Sequence, residues 1–445
     1  MSMTNKEYDI SAPTLFYGAG ERSGGWVKLL SERFSLYPTC FIDKDTSKQG
    51  TELFGKPILS LKIAVESYPD CNIFISTSQE KWEQIIEELV TTALVKREQI
   101  LNFELFKEYR SCFYIEHSVA FHNKSIAFCI SRGSSVPQFA TDFTDCSHIP
   151  QQLLNLRKQT IKTLNSGIPT SLPCENCDQL RKDIWLSGGS GELRFVEVSG
   201  SWTEKVGVCS MDCIYCRADY KKAERILFEN VVENSIISYS ENMILNSKIS
   251  YVVDFLNTLE KDNLLDAAVT PVRVIFGEIT VTPGGNELLN VLSKKYNLHV
   301  LTNAGVFSDE LAAALTNPRS KMIVSLDSGT AETFYKIKRR NVFEKVCKNL
   351  HQYCQFGNVE LKYIVLSSIN DNVSDMDGFV EICKDLGIAT AYISADKRER
   401  LAGNRLPFET INAINYMIKS LKSIGVQVLC WNEFTSGDLE LIDFN

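Results

Sequence analysis

Cys209, Cys213 and Cys216 fall within eight residues at the spacing C-x3-C-x2-C, in the loop Val208-Cys209-Ser210-Met211-Asp212-Cys213-Ile214-Tyr215-Cys216. A short apolar run, Leu193 to Val198, precedes them and reads as a strand. Thiolates this close meet at one centre only if the loop wraps around it. Three sulfurs on a four-iron cluster leave one iron without a protein ligand, an open position for chemistry. A structural zinc site takes four ligands and is closed. No fourth ligand follows nearby, since the next cysteine is Cys347 and the next histidine is His299. The plain alternative is three core cysteines brought close by chance.

The 445 residues are enough for two or three domains, and 23% charged with 44% hydrophobic residues are ordinary globular values. A net charge of −8 argues against a nucleic-acid or anionic-membrane partner. No apolar run approaches the ~20 residues needed to span a bilayer. Met1-Ser2-Met3-Thr4-Asn5-Lys6-Glu7 lacks the apolar core of a signal peptide. Fourteen cysteines without an export signal point to reduced thiols and metal ligation, so a cytoplasmic location is expected.

Near the N-terminus a strand, Thr14 to Tyr17, runs into Gly18-Ala19-Gly20-Glu21-Arg22-Ser23-Gly24-Gly25. A helical pattern, Trp26 to Phe34, and a second strand, Thr39 to Ile42, lead to Asp43. Strand, glycine turn, helix, strand and acid form the layout of a nucleotide-binding fold. The spacing G-x-G-x-x-x-G is one residue longer than the usual dinucleotide fingerprint, and a docking domain without a ligand is the competing reading. Alternation continues through Lys56 to Leu59, Asn72 to Ser76 and Trp82 to Leu94.

Residues 106–185 are less regular and hold Cys112, Cys129, Cys146, Cys174 and Cys177. The C-x2-C pair Cys174-Glu175-Asn176-Cys177 lets one turn present two thiolates to one metal. An amphipathic helix from Pro150 to Leu164 precedes it, stopped by Gly167 and Pro169. From Leu193 onward, strands alternate with helices as in a parallel β/α sheet or barrel. The candidate strands are Leu193–Val198, Val272–Phe276, Leu298–Thr302, Met322–Leu326, Val359–Leu366, Ala389–Ser394 and Val426–Cys430. Loops at the C-terminal ends of such strands build the active site. Cys347, Cys354, Cys383 and Cys430 are scattered through these elements and read as packing residues.

The cysteine loop, with Tyr215 just before its last cysteine, resembles the cluster motif of the radical S-adenosylmethionine (radical SAM) enzymes. The resemblance implies a 4Fe-4S cluster on Cys209, Cys213 and Cys216, with S-adenosylmethionine chelated at the open iron. Later strand ends are similar to the same family. Gly277-Glu278 stands where the family contacts the SAM amino group. Thr302-Asn303 resembles its Thr-Asn-Gly run, and Ser325 and Asp327 match positions near the SAM ribose and carboxylate. Either Lys338 or Arg339 would pair with that carboxylate. Singly, each of these polar residues reads as a cap or turn; their joint placement at successive strand ends favours the functional reading.

The order Cys112, Cys129, Cys174, Cys177 resembles the single-cluster twitch form of the SPASM-type auxiliary domains found on many radical SAM enzymes. It implies a second iron–sulfur cluster, with zinc in the same four cysteines, or Cys146 in place of Cys112, as alternatives. Residues 12–100 resemble the small Rossmann-like domains at the N-termini of sugar acyltransferases and other glycan-biosynthesis proteins. The expected fold class is α/β. A Rossmann-like domain (1–105) and a small cysteine-containing linker segment (106–188) precede a partial (β/α)6 TIM-like barrel (189–445).

The implied enzyme is an oxidoreductase or transferase that cleaves S-adenosylmethionine to a 5′-deoxyadenosyl radical and abstracts hydrogen from a substrate. A reduced flavodoxin or ferredoxin would be the electron donor. The N-terminal segment points to a sugar, aminocyclitol or nucleotide-linked small molecule. The auxiliary-cluster resemblance points instead to oxidation, epimerisation or crosslinking of a peptide. A non-catalytic, metal-stabilised scaffold is the reading from another class, and the missing fourth ligand argues against it.

Overall fold

The computed structural model describes residues 12–34, 36–77, 81–92, 94–101, 107–122, 125–129, 136–140, 144–177, 179–185, 192–199, 209–216, 239–396, 398, 404–430, 434 and 436–444. The stretch read for a signal peptide, residues 1–7, lies outside them. Packing divides the chain into two compact units, residues 1–107 and 108–445.

The first unit is a five-stranded sheet. Its strands are β1 (Thr14–Tyr17), β2 (Pro38–Ile42), β3 (Glu52–Leu53), β4 (Lys56–Leu59) and β5 (Asn72–Ile75), in the order β3-β4-β2-β1-β5. All pairs are parallel except β3 with β4. Every residue of β1 and β5 is buried. Such continuous burial is what a parallel strand covered on both faces requires, so its apolar residues run without alternation. Trp26 and Trp82, from the helices Glu21–Phe34 and Trp82–Thr91, pack their rings 5.5 Å apart, with Trp26 also 5.0 Å from Phe74.

In the second unit β6 (Lys107–Ser111) pairs with β10 (Arg181–Trp185) as a two-stranded sheet. The remaining strands are β7 (Ser118–His122), β8 (Ser125–Ala127), β9 (Gln138–Ala140), β11 (Phe195–Ser199), β12 (Val272–Ile275), β13 (Leu298–Thr302), β14 (Lys321–Ser325), β15 (Asn358–Val365), β16 (Thr390–Ala395) and β17 (Gln427–Cys430). They form one ten-stranded sheet in the order β17-β16-β15-β14-β13-β12-β11-β7-β8-β9. Strands β11 to β17 are parallel, each paired to the next. The mixed α/β class with large parallel sheets is therefore as expected. The parallel run does not stop at six strands: it counts seven, and β7 adds an eighth on the free side of β11.

The middle segment thus supplies sheet, not only loops. In the register of β7 with β11, Phe195 lies opposite Ser118 and Ser199 opposite His122. β8 and β9 then continue antiparallel to the edge. The main core lies between this sheet and its helices, with Val196, Val198, Val274, Val300, Val324, Leu361 and Ile393 contributing buried residues from the strands. Burying each such side chain contributes ~1.5–3 kcal/mol.

The loop after β14 is seated partly by direct backbone contact. A Cβ on Gly329 would fall 2.0 Å from the Asp375 carbonyl oxygen, and one on Gly378 2.4 Å from the Gly329 oxygen. Two facing glycines let the helix Val373–Asp385 press directly on that loop. Asp375 then accepts from the Thr330 N–H at 3.1 Å and hydroxyl at 2.9 Å. Thr330 in turn caps the helix Ala331–Lys338.

Candidate cluster and cofactor site

The loop Cys209–Cys216 is anchored at the end of the helix Ala331–Lys338. The Asp212 N–H donates to the Lys338 carbonyl at 3.0 Å, and the Ile214 N–H to the Ile337 carbonyl at 2.9 Å. These are carbonyls that a helix end leaves unsatisfied. Ile214 and Tyr215 pack against Ile337, Ile364 and Leu366, while Met211 is buried in the main core. The three thiols are half-buried.

Two hydrogen-bond networks hold the loop. At its start the Asn303 side-chain N–H donates to the Cys209 sulfur at 3.6 Å and to the Ser210 hydroxyl at 3.2 Å. The Asn303 backbone N–H donates to Glu278 at 2.6 Å, and the Thr302 hydroxyl to its other oxygen at 2.7 Å. Thr280 adds its N–H and hydroxyl to the same carboxylate. Burial raises the Glu278 carboxyl above its ordinary range, against these four donors.

At the loop's end the Tyr215 hydroxyl donates to Asp327 at 2.5 Å. Lys338 donates to Asp327, to the Tyr215 oxygen at 2.6 Å and to the Ser325 carbonyl at 2.8 Å. Those three bonds use every proton of the ammonium. The other Asp327 oxygen accepts from the Ile364 N–H at 2.8 Å. Asp327 itself sits at φ +59°, a left-handed conformation that aspartate tolerates better than most residues. The Asn370 amide secures it by donating to the Asp327 carbonyl at 2.9 Å.

Burial lowers the proton affinity of Lys338, but Asp327, followed by the Cys213 and Cys209 thiols nearby, outweighs it and the net shift is upward. Burial, Asp327 and Cys213 all push the Tyr215 hydroxyl well above its ordinary range.

Seven of the residues singled out from the sequence (Tyr215, Glu278, Thr302, Asn303, Ser325, Asp327 and Lys338) lie in these two networks. Gly277 is half-buried next to Glu278. Arg339 is exposed, at φ +55° just past the helix end, while Lys338 points inward. The sequence analysis missed Arg340, which donates to the Ser210 carbonyl at 3.3 Å, and Arg398, which donates to the Ile214 carbonyl at 2.8 Å. It also missed His122, whose Nδ1 lies 3.1 Å from the Ser199 hydroxyl at the ends of β7 and β11. A polar residue closing a strand was the signal available for His122.

Cys112, Cys129, Cys174 and Cys177 line one small cavity with Phe128 and Val136. The Cys177 N–H donates to the Cys174 carbonyl at 3.0 Å, so the C-x2-C segment is a closed turn, and Arg110 clamps it through Glu175 at 2.7 Å. Burial pushes the Cys112 thiol up to about 12, with Cys129 and Cys174 adding to the shift. Cys146 is not a substitute for Cys112: it belongs to the main core, where its thiol donates to the Tyr251 carbonyl. Cys347, Cys354, Cys383 and Cys430 are thiols raised by burial to about 11 or 12, in keeping with packing roles. Among the described residues no three His, Cys, Asp or Glu side chains converge as ligands of a single metal ion. Thiolates on a multi-iron cluster bind separate irons and need not converge in that way. The donor set of the loop, three thiols with anchored backbone and a neighbouring cation, fits such a cluster.

No family model matches the chain. The antilisterial bacteriocin subtilosin biosynthesis protein AlbA of Bacillus subtilis (strain 168) is 29% identical over 130 residues, which cover 28% of this chain and 29% of AlbA. The chain therefore matches less than a third of that relative's length. Among solved structures, Streptococcus suis SuiB bound to precursor peptide SuiA is 12% identical, covering 63% of this chain and 54% of that one with a TM-score of 0.38. A radical SAM methyltransferase from Sphaerobacter thermophilus is 13% identical, covering 55% and 67%, with a TM-score of 0.37. At such TM-scores the radical SAM structures add nothing to the reading of single residues, which rests on the geometry above. No helix among the described residues is long and apolar enough to cross a membrane.

Proposed function

We propose that the chain is a radical SAM enzyme whose substrate is a peptide. The observation that carries the first half is the three-thiol loop pinned at both ends, by Asn303 at Cys209 and by the Tyr215–Asp327–Lys338 network. When bound, the cluster and S-adenosylmethionine supply one-electron chemistry that ends in hydrogen abstraction from the substrate. Cys209, Cys213 and Cys216 would hold the cluster. Glu278 acts as a positioning residue, since its oxygens fix the Thr302–Asn303 corner that touches Cys209. Asp327 and Lys338 set the height of Tyr215, and their charges are already spent on each other. The S-adenosylmethionine carboxylate is therefore left to another cation at the loop, and Arg340, just past this helix and bound to the Ser210 carbonyl, is a candidate.

The sequence alone favoured a sugar or nucleotide-linked substrate. The peptide reading now has better support, because the curated relative's name places it in the biosynthesis of a bacteriocin. The four-cysteine cavity agrees with it, as auxiliary clusters were the feature that pointed to peptides. We read that cavity as a second cluster site, its thiols bordering a space and not a point. Residues 106–188 then form an auxiliary segment built onto the sheet of the barrel.

The test is anaerobic reconstitution with iron and sulfide, then incubation with S-adenosylmethionine, dithionite and a peptide encoded beside the gene. The expected result is 5′-deoxyadenosine together with a mass or stereochemical change on the peptide, both lost in Cys209→Ala. No 5′-deoxyadenosine from an intact cluster sinks the enzyme reading. Turnover of a nucleotide-linked sugar in place of the peptide sinks the substrate class.

A further inference from the structure

The N-terminal unit has a cavity of its own, of about 320 Å³, walled by the ends of β1 and β2 and the residues after β5. That volume lies at the lower end of small-molecule sites, roughly 300–1,000 Å³. Its place in the sheet is informative. β1 carries β2 on one side and β5 on the other, both parallel, so the winding reverses at β1. Open α/β sheets bind ligands outside the carboxyl ends of strands at such a reversal.

The lining is mixed in a specific way. Asp43, at the end of β2, accepts from the Ala19 N–H at 2.9 Å, the Asp45 N–H at 3.0 Å and Lys48 at 3.1 Å. A carboxylate has about four acceptor positions, so one remains for a hydroxyl. Lys44 and Lys48 stand at the rim. The helix Glu21–Phe34 begins at the Gly18–Gly20 turn on the same wall, where the N–H groups of Gly18, Ala19 and Gly20 are held by the Ile42 carbonyl, Asp43 and the Ser23 hydroxyl, so what the helix start offers an anion is its dipole. The Thr77 hydroxyl is buried in the wall with no hydrogen-bond partner among the described residues. Ile42 and Ile85 supply a flat apolar side.

An acid for a sugar hydroxyl, a helix start with the partly exposed Lys48 for phosphate, and an apolar wall for a base occur together. We infer that this unit binds a nucleoside diphosphate, with the ribose on Asp43, the phosphates at the Gly20 turn and Lys48, and the base against Ile42 and Ile85. Binding there does not depend on the cysteine chemistry.

Gly20 provides the test, because a Cβ built there meets nothing within 4 Å and a larger side chain projects into free space without disturbing the fold. UDP and ADP are titrated calorimetrically into the full-length protein saturated with S-adenosylmethionine, which occupies any adenosine site in the barrel. The expected result is saturable binding of at least one of them, weakened by about tenfold or more in Gly20→Val and in Lys48→Met. Lys48 is 40% exposed and its removal leaves the core intact, so it keeps the test valid should Gly20→Val fold poorly. The inference fails if neither nucleotide binds. It fails equally if both variants bind as the parent does, or if binding appears only when S-adenosylmethionine is left out.

Discussion

Lys338 and Asp327 form an ion pair with side chains 1% and 0% exposed, and both partners share the Tyr215 hydroxyl. Removing one member of such a pair strands the other in a dry interior. Lys338→Met should therefore cost about 3–5 kcal/mol in the metal-free protein, read by urea unfolding. Adding Asp327→Asn should recover part of that loss. Asparagine tolerates the positive φ and keeps the oxygen that accepts the Ile364 N–H. If the double variant is as unstable as Lys338→Met, the pair is not what holds the loop.

The cysteine cavity makes a prediction that separates two metal centres. A Cys209→Ala/Cys213→Ala/Cys216→Ala variant should retain about four irons per chain after reconstitution, and further change of Cys174 and Cys177 to alanine should remove them. Zinc alone, or no metal, in the triple variant would reject the second cluster.

Gly329 should tolerate no side chain. Alanine there places a Cβ 2.0 Å from the Asp375 carbonyl and 2.1 Å from the Phe379 nitrogen, both backbone atoms that cannot swing aside. A loss of about 3 kcal/mol or more in unfolding free energy is expected, at the upper end for overpacking. Gly25→Ala, with nothing within 4 Å, should be neutral or stabilising in the same assay.

Glu197 gives the pH dependence. It lies in β11 at 1% exposure, with one carboxylate oxygen lacking a partner among the described residues. Burial pushes its carboxyl up to about 7, although Arg273 and Ser199 pull the other way. The unfolded chain releases this proton near 4.5, the native one near 7. Between those values the unfolded state binds fewer protons, so stability falls as pH rises through the window and is level above it. The loss is on the order of 3 kcal/mol. Glu197→Gln should lack that slope, which thermal melts across the window would show; an unchanged slope assigns it elsewhere.

The seven parallel strands β11 to β17 were legible to within about two residues, because each is an apolar run bounded by turn residues. Strands β7 to β9 were not. The helix Phe113–His117 passes into β7 with no glycine or proline between them, and β8 and β9 have three residues each. Cys112 and Cys129 were grouped with the C-x2-C pair by the resemblance to twitch-type auxiliary domains, and all four line the same cavity. The choice between Lys338 and Arg339 was beyond the sequence. It turns on a helix that ends at Lys338 and a left-handed residue that throws Arg339 to the surface. Nor was it visible that Glu278, Asp327 and Lys338 satisfy one another's neighbours, since hydrogen-bond partners 11 to 25 residues apart leave no periodic trace.

Because β7 occupies the free side of β11, the strand leading to the cluster loop is an interior strand of the sheet. A chain trimmed to residue 193 onward would bare the N–H and C=O groups of Phe195–Ser199 along an unpaired margin. Margins of that kind recruit other chains. Dissecting the protein at its cysteine-rich segment should thus yield a sticky fragment, and a shortened chain that stays soluble should start before Ser118.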